Sequence, residues 1–182
     1  MSAIKTLRMY AKSKKLPQAV KLGNVPCEWI KYAQNVAMAA PNTSELALNQ
    51  RAEKNIAGTE IVNYNQLTEF YNQRYIDNIE LPNEIKELQG VHHLRFGVLD
   101  EGNTIPFHLD EPYTLRFVCV ITGSHKFKFE TGSEYLMKEG ELWFINGSYK
   151  HSVENTFSGT RMALLGKFEH CEYNTRIINE LL

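Results

Sequence analysis

The period of the apolar residues changes near Gly90, and that change limits the fold more than any other feature of the chain. Beyond it, apolar side chains recur at every second position in short runs, and turn residues return about every eight to twelve positions. Residues 91–99 place Leu94, Phe96 and Val98 on one face and His93, Arg95 and Gly97 on the other. Residues 114–122 are almost continuously apolar, as suits a strand covered on both faces. Further runs at 125–130, 134–138, 141–145, 151–155 and 160–168 follow, with turns at 100–103, 123–124, 131–132 and 158–159. Short, evenly spaced strands with glycine turns predict a sandwich or barrel, and argue against a parallel α/β sheet.

Before Gly90 the spacing is helical. Residues 26–40 carry Trp29, Ile30, Ala33, Val36, Ala37 and Ala40 at helical intervals, with Pro26 near the start and Pro41 just past the end. Residues 65–75 repeat the pattern with Leu67, Phe70 and Tyr71, and Ile76 just beyond. Between them, 42–59 holds few large apolar anchors, Leu46 and Leu48 among them, and reads as a loop. A short helix is expected over 82–88, ended by Gly90, and a last one over 174–182. With 182 residues and no linker, repeat or low-complexity segment, the expectation is one domain. Its parts are a helical N-terminal stretch (1–89) packed on one sheet, a β core (90–170) and the C-terminal helix.

A hydrophobic content of 43% with 11% aromatics supports a real core. A net charge of -1 offers no electrostatic footprint for nucleic acid or an anionic membrane. The one basic cluster, Lys5, Arg8, Lys12, Lys14 and Lys15, alternates with Ile4, Leu7, Met9 and Leu16 and reads as a solvated amphipathic helix or tail. No apolar run is long enough to span a bilayer, and no signal-peptide core is visible. Cys27, Cys119 and Cys171 are odd in number and lack ligand spacing, so a reducing, cytoplasmic setting is expected.

The chemistry concentrates in His108-Leu109-Asp110, His151 and Arg161. Side chains two apart on an extended segment point the same way, so His108 and Asp110 can reach one ion. Two histidines and a carboxylate form the set that holds non-haem Fe(II) on one face and leaves the other positions open. His125 competes with His151 for the third position, since it also lies on a strand and is nearer in sequence. Arg161 begins an apolar strand and needs a partner: either an acidic side chain or a bound carboxylate, which its guanidinium fork would clamp. Arg95 and His93 share a strand face and read as ordinary salt-bridged residues or as pocket lining. His92 and His93, being adjacent, point to opposite faces and cannot chelate together. Asn146 and Asn155 are expected to fix the turn around His151.

Residues 106–110 (PFHLD), 140–146 (GELWFIN), 150–155 (KHSVEN) and Arg161 resemble the 2-oxoglutarate/Fe(II) oxygenases of the aspartyl/asparaginyl β-hydroxylase type, a group that includes bacterial proline hydroxylases. The resemblance runs from about Gly90 to Lys167. It implies a double-stranded β-helix (a cupin-like jelly roll) with His108, Asp110 and His151 as the iron ligands at its mouth. It also implies that Arg161 holds the distal carboxylate of 2-oxoglutarate and that Arg116, basic in relatives too, holds a second carboxylate. Some members of the family carry Gly at the carboxylate position; this chain keeps Asp110. The implied reaction is hydroxylation of an unactivated C–H bond, coupled to decarboxylation of 2-oxoglutarate and consumption of dioxygen. The substrate would be a small molecule or peptide, an amino acid of the Asp/Asn or proline type. The competing reading is a cupin-like metalloprotein that does not use 2-oxoglutarate. Residues 140–155 also resemble the second cupin motif, but a cupin's first motif is His-x-His and here that position is Asp110.

Overall fold

The computed structural model describes residues 15–39, 72–75, 79–110 and 115–181. Its strands are β1 (Ala19–Asn24), β2 (Asn72–Tyr75), β3 (His92–Leu99), β4 (Thr104–His108), β5 (Leu115–Thr122), β6 (Ser124–Phe129), β7 (Glu134–Lys138), β8 (Glu141–Asn146), β9 (His151–Asn155) and β10 (Arg161–Phe168). The helices are α1 (Cys27–Ala39), α2 (Asn83–Lys86) and α3 (Glu172–Glu180). A six-stranded sheet runs β1-β8-β5-β10-β3-β2 and a four-stranded sheet runs β4-β9-β6-β7. All the pairings are antiparallel. From β3 to β10 the chain crosses repeatedly between the two sheets, which makes a jelly roll.

The large sheet is buried on both faces, and this explains the unbroken apolar run of β5. Leu115, Phe117, Cys119 and Ile121 turn outward with Phe96, Leu164 and Phe144 onto Ile30, Ala33 and Ala37 of α1 and Ile178 of α3. Val118 and Val120 turn inward with Leu99, Ala163 and Ile145, against Ile105, Phe127, Phe129 and Val153 of the small sheet. Helix α1 is also tied by polarity, since Gln34 Nε2 donates to the Ile121 carbonyl at 2.6 Å. By strand alternation, the inner face also carries Arg95, Arg116 and Arg161.

The N-terminal part departs from its helical reading. β1 and β2 are strands, and each closes one edge of the large sheet, on β8 and β3 respectively. The predicted helix over 65–75 fails at 72–75, which is β2; residues 65–71 lie outside the described residues. An edge strand leaves a row of backbone donors and acceptors open. Pairing that row outweighs a local helical spacing. The loop at 42–59 and, but for Lys15, the basic cluster of Lys5, Arg8, Lys12, Lys14 and Lys15 also lie outside the described residues. The helix over 26–40 is α1, and the C-terminal helix starts two residues earlier than its spacing implied. There Cys171 caps it, with Sγ accepting from the Asn174 amide. Among the described residues, no helix is long and apolar enough to cross a membrane.

Candidate metal centre

β4 and β9 pair so that His108 stands opposite His151, with ring centroids 4.5 Å apart. The register that produces this is irregular. Ile105 faces Val153, so an even ladder would put Phe107 opposite His151; a shift between Ile105 and His108 gives the place to His108 instead. Such a bulge adds one residue and re-aims the side chains beyond it. Pro106 lies inside the irregular stretch and has no N–H to lose from the ladder. Phe107 is left 43% exposed, whereas His108 is 6% exposed.

Asp110 follows two residues past His108, just beyond the strand. Its Oδ1 is 3.8 Å from Nε2 of His108, and its Oδ2 is 3.6 Å from Nε2 of His151. One ligand atom from each of the three residues lies within 4.8 Å of the others, and all three residues are buried. Gly147, in the turn before β9, makes this possible. A Cβ there would sit 2.7 Å from Asp110 Cβ, closer than atoms tolerate. Asn146 holds that turn: its Oδ1 accepts from the Ser148 amide at 3.1 Å and its carbonyl from the Tyr149 amide at 3.2 Å. Asn155, by contrast, ties the turn after β9, where its Nδ2 donates to the Leu99 and Gly159 carbonyls.

The donor set fits a divalent cation. Nδ1 of His108 lies 2.8 Å from the Pro106 carbonyl, and Nδ1 of His151 lies 2.8 Å from the Tyr149 carbonyl. Each ring therefore donates from Nδ1 and keeps Nε2 as the lone-pair atom, the tautomer a metal ligand needs. Burial by itself would raise the Asp110 pKa. Arg116, whose Nε is 3.0 Å from Oδ2, reverses this with help from the two histidines and Arg95, and the carboxyl stays well below the usual range. Asp110 is thus an anion between the two rings. Phe127 and Phe129 stack near His151, at 5.3 and 5.8 Å, and close the floor to water.

Burial, then His108, outweighs Asp110 and brings the His151 pKa from 6.5 down to about 4. The sign follows from linkage. The unfolded chain takes up a proton near 6.5 that the folded chain refuses until about 4. This contribution is complete above the unfolded value and is lost as the pH falls through the window between the two. Metal-free protein should lose about 3 kcal/mol of unfolding free energy from His151 alone on going from neutral pH to about pH 4. His125, also held low, acts in the same direction. Urea denaturation of chelator-treated protein at the two pH values measures it, and unchanged stability would contradict a neutral buried imidazole.

His125 does not join the metal group among the described residues. It is fully buried on β6 opposite Asn155, and Phe129 takes the place opposite His151. Its partner is Arg161, whose Nε donates to its Nδ1 at 2.8 Å. Arg116 takes hold of Asp110. Arg95 is buried on β3, where its Nη1 donates to the His93 carbonyl at 3.4 Å. His92 and His93 meet edge to face 5.1 Å apart and stand outside the metal group. Three contributions escaped the sequence reading: the bulge at Pro106, the close approach at Gly147 and the bond from Arg161 to His125. Pro106 in an extended run and the adjacent Asn146-Gly147 pair were the sequence signals for the first two.

A family-level sequence profile described as aspartyl/asparaginyl beta-hydroxylase matches residues 61–171, well over half of the chain. No curated protein sequence matches it. Among solved structures, the chain is similar to a prolyl-4-hydroxylase from Pseudomonas putida, with a TM-score of 0.53 and 12% identity over 91% of this chain and 99% of that one. It is also similar to a predicted oxalate decarboxylase from Thermotoga maritima, with a TM-score of 0.42 and 17% identity over 54% of this chain and 79% of that one. The cupin domain of Schizosaccharomyces pombe Cnp3 is similar at a TM-score of 0.44 and 10% identity, over 58% and 69%. At 12% identity the likeness to the prolyl-4-hydroxylase shows the fold alone, and it is the jelly roll. By the match of its sequence to the profile, the chain belongs to the aspartyl/asparaginyl β-hydroxylase family.

Proposed function

We propose that the chain is an Fe(II)- and 2-oxoglutarate-dependent dioxygenase that hydroxylates an amino acid, either free or within a peptide. The observation that carries this reading is the convergence of His108, Asp110 and His151 in one buried cluster. Nε2 of each histidine and one Asp110 oxygen would hold the iron, and the remaining positions would stay open to the co-substrate and dioxygen. When bound, iron and 2-oxoglutarate supply the oxidising power that breaks an unactivated C–H bond, with succinate and carbon dioxide as co-products.

The chain's own residues do the rest. Arg161, 2% exposed on the inner face of the large sheet, takes the distal carboxylate of 2-oxoglutarate. It sits on the side of His125, four residues along β6 from the position opposite His151, or about 13 Å of strand. Phe127 fills the interval, 5.4 Å from the His125 ring and 5.3 Å from the His151 ring, and keeps water out. Arg116 keeps Asp110 ionised and lies where it can share a second carboxylate with the metal.

Anaerobic addition of 2-oxoglutarate to the Fe(II)-loaded protein should produce a weak visible charge-transfer band. The band should be absent in His108→Ala. In Arg161→Ala, half-saturation should require about tenfold to hundredfold more 2-oxoglutarate. Bound iron without any band would overturn the oxygenase reading and favour a cupin-like metalloprotein.

A further inference from the structure

We infer that Pro106 is the positioning residue for His108, holding β4 in the one register that turns this histidine toward His151 and keeps Phe107 out. This rests on the reading of His108 as a metal ligand. β4 is an edge strand of the small sheet, and its pairing with β9 shifts between Ile105 and His108. An unbroken ladder is a complete alternative for the same residues. Two positions past Ile105, it would bury Phe107 opposite His151, beside Phe127 and Phe129, whose rings already lie against that histidine. His108 would then face away from the cavity, and Asp110, two residues on, would leave with it. Hydrophobic burial favours that alternative, since an apolar ring goes in and a polar one comes out. Yet Phe107 is 43% exposed and His108 only 6%. A local rule broken beside a candidate metal ligand needs a cause in the backbone.

Pro106 supplies that cause in two ways. Its ring holds φ near about −65°, about 75° from the usual antiparallel value, and so resists the regular pleat. On an edge strand the missing N–H costs the sheet nothing. Its carbonyl also accepts from Nδ1 of His108 at 2.8 Å, which fixes the ring. His151 makes the same bond to a residue two places back, from its own Nδ1 to the Tyr149 carbonyl at 2.8 Å. Tyr149 offers that carbonyl from a turn, where its amide donates to the Asn146 carbonyl. His108 has no turn before it, because it closes a strand that began at Thr104. The proline bulge does within a strand what the turn does ahead of one.

Two substitutions release the constraint. Pro106→Ala frees φ, and Pro106→Val adds a preference for regular strand. In both, the unbroken ladder should compete, and apparent metal affinity should fall with the fraction of molecules that still present His108. Equilibrium titration with Mn(II) should show about tenfold weaker binding in the Ala variant and a larger loss in the Val variant, with circular dichroism unchanged. In metal-free Pro106→Val, the cross-strand NOE to His151 should pass from His108 to Phe107. Phe107→Ser removes the apolar gain from slipping. By itself it should bind Mn(II) as the parent does, and added to Pro106→Ala it should restore affinity to within about threefold of the parent. Parental affinity in both proline variants overturns the inference. A loss that Phe107→Ser fails to recover overturns it too, since that marks a distortion without competition between registers. His108→Ala is the control: if it keeps parental Mn(II) affinity, the ligand reading falls first and the inference falls with it.

Discussion

Asp110→Ala should abolish Fe(II) binding and turnover while leaving a folded protein. Asp110 is the only carboxylate of the candidate metal cluster, and its charge lies near those of Arg116 and Arg95. Without it, a divalent cation would meet two neutral rings and uncompensated positive charge in a low-dielectric site. Loss of a residue that merely supports a metal ligand costs about tenfold to hundredfold in metal affinity, so loss of the ligand itself should exceed that. Gly147→Ala is the companion variant, since it leaves all three ligands in place. Its new Cβ would lie 2.7 Å from Asp110 Cβ and 3.2 Å from Oδ2, so the carboxylate must move. Metal affinity in Gly147→Ala should fall by about tenfold to hundredfold, in the range of a displaced support. Equilibrium titration with Fe(II) or Mn(II), with circular dichroism as the check on folding, measures both. An Asp110→Ala protein that keeps parental metal affinity would remove the carboxylate from the ligand set.

The largest effect on stability should come from the outer face of the large sheet. Phe117 is fully buried there and packs across β10 at Gly166. Phe117→Ala should lower the unfolding free energy by about 3–5 kcal/mol, through lost transfer energy and the cavity left behind. Gly166→Ala approaches the same contact from the other side. A Cβ at Gly166 would fall 2.4 Å from Cε1 and 2.5 Å from Cζ of the Phe117 ring, and 3.0 Å from Leu94 Cδ2. Overpacking of this kind costs about 1–3 kcal/mol. In the double variant the new methyl group occupies space the ring has vacated, so its loss should be clearly smaller than the sum of the single losses. Urea denaturation of the four proteins closes the cycle, and strict additivity would mean that the two positions do not touch.

The β core was legible because its constraints are local. Strands β7 and β9 begin and end where the alternation of their sequences says, and the run at 114–122 is the doubly covered β5. The edge strands β1 and β2 were not legible. Their short sequences carry no strong alternation, and what makes them strands is the open backbone edge of β8 and β3 beside them. The choice between His125 and His151 has the same character. Both lie on strands of the small sheet, and only the register of β6 against β9, with Phe129 opposite His151 and Asn155 opposite His125, separates them.

By itself, the sequence determined which chemistry is available: two imidazoles and a carboxylate near enough to share an ion, and an arginine ten residues beyond the second histidine. Spacing of two on extended backbone is a local property, so His108 and Asp110 were bound to fall on one side. Only the tertiary structure decided which groups meet. A shift of one residue in a ladder turns every side chain beyond it to the other face. The bulge at Pro106 brings His108 rather than Phe107 opposite His151, and Gly147 lets Asp110 close on both. The crossing of β6 and β10 between sheets gives Arg161 a neutral partner in His125. These are contacts between strands distant in sequence, and they arise from register and packing, which no short stretch of residues encodes.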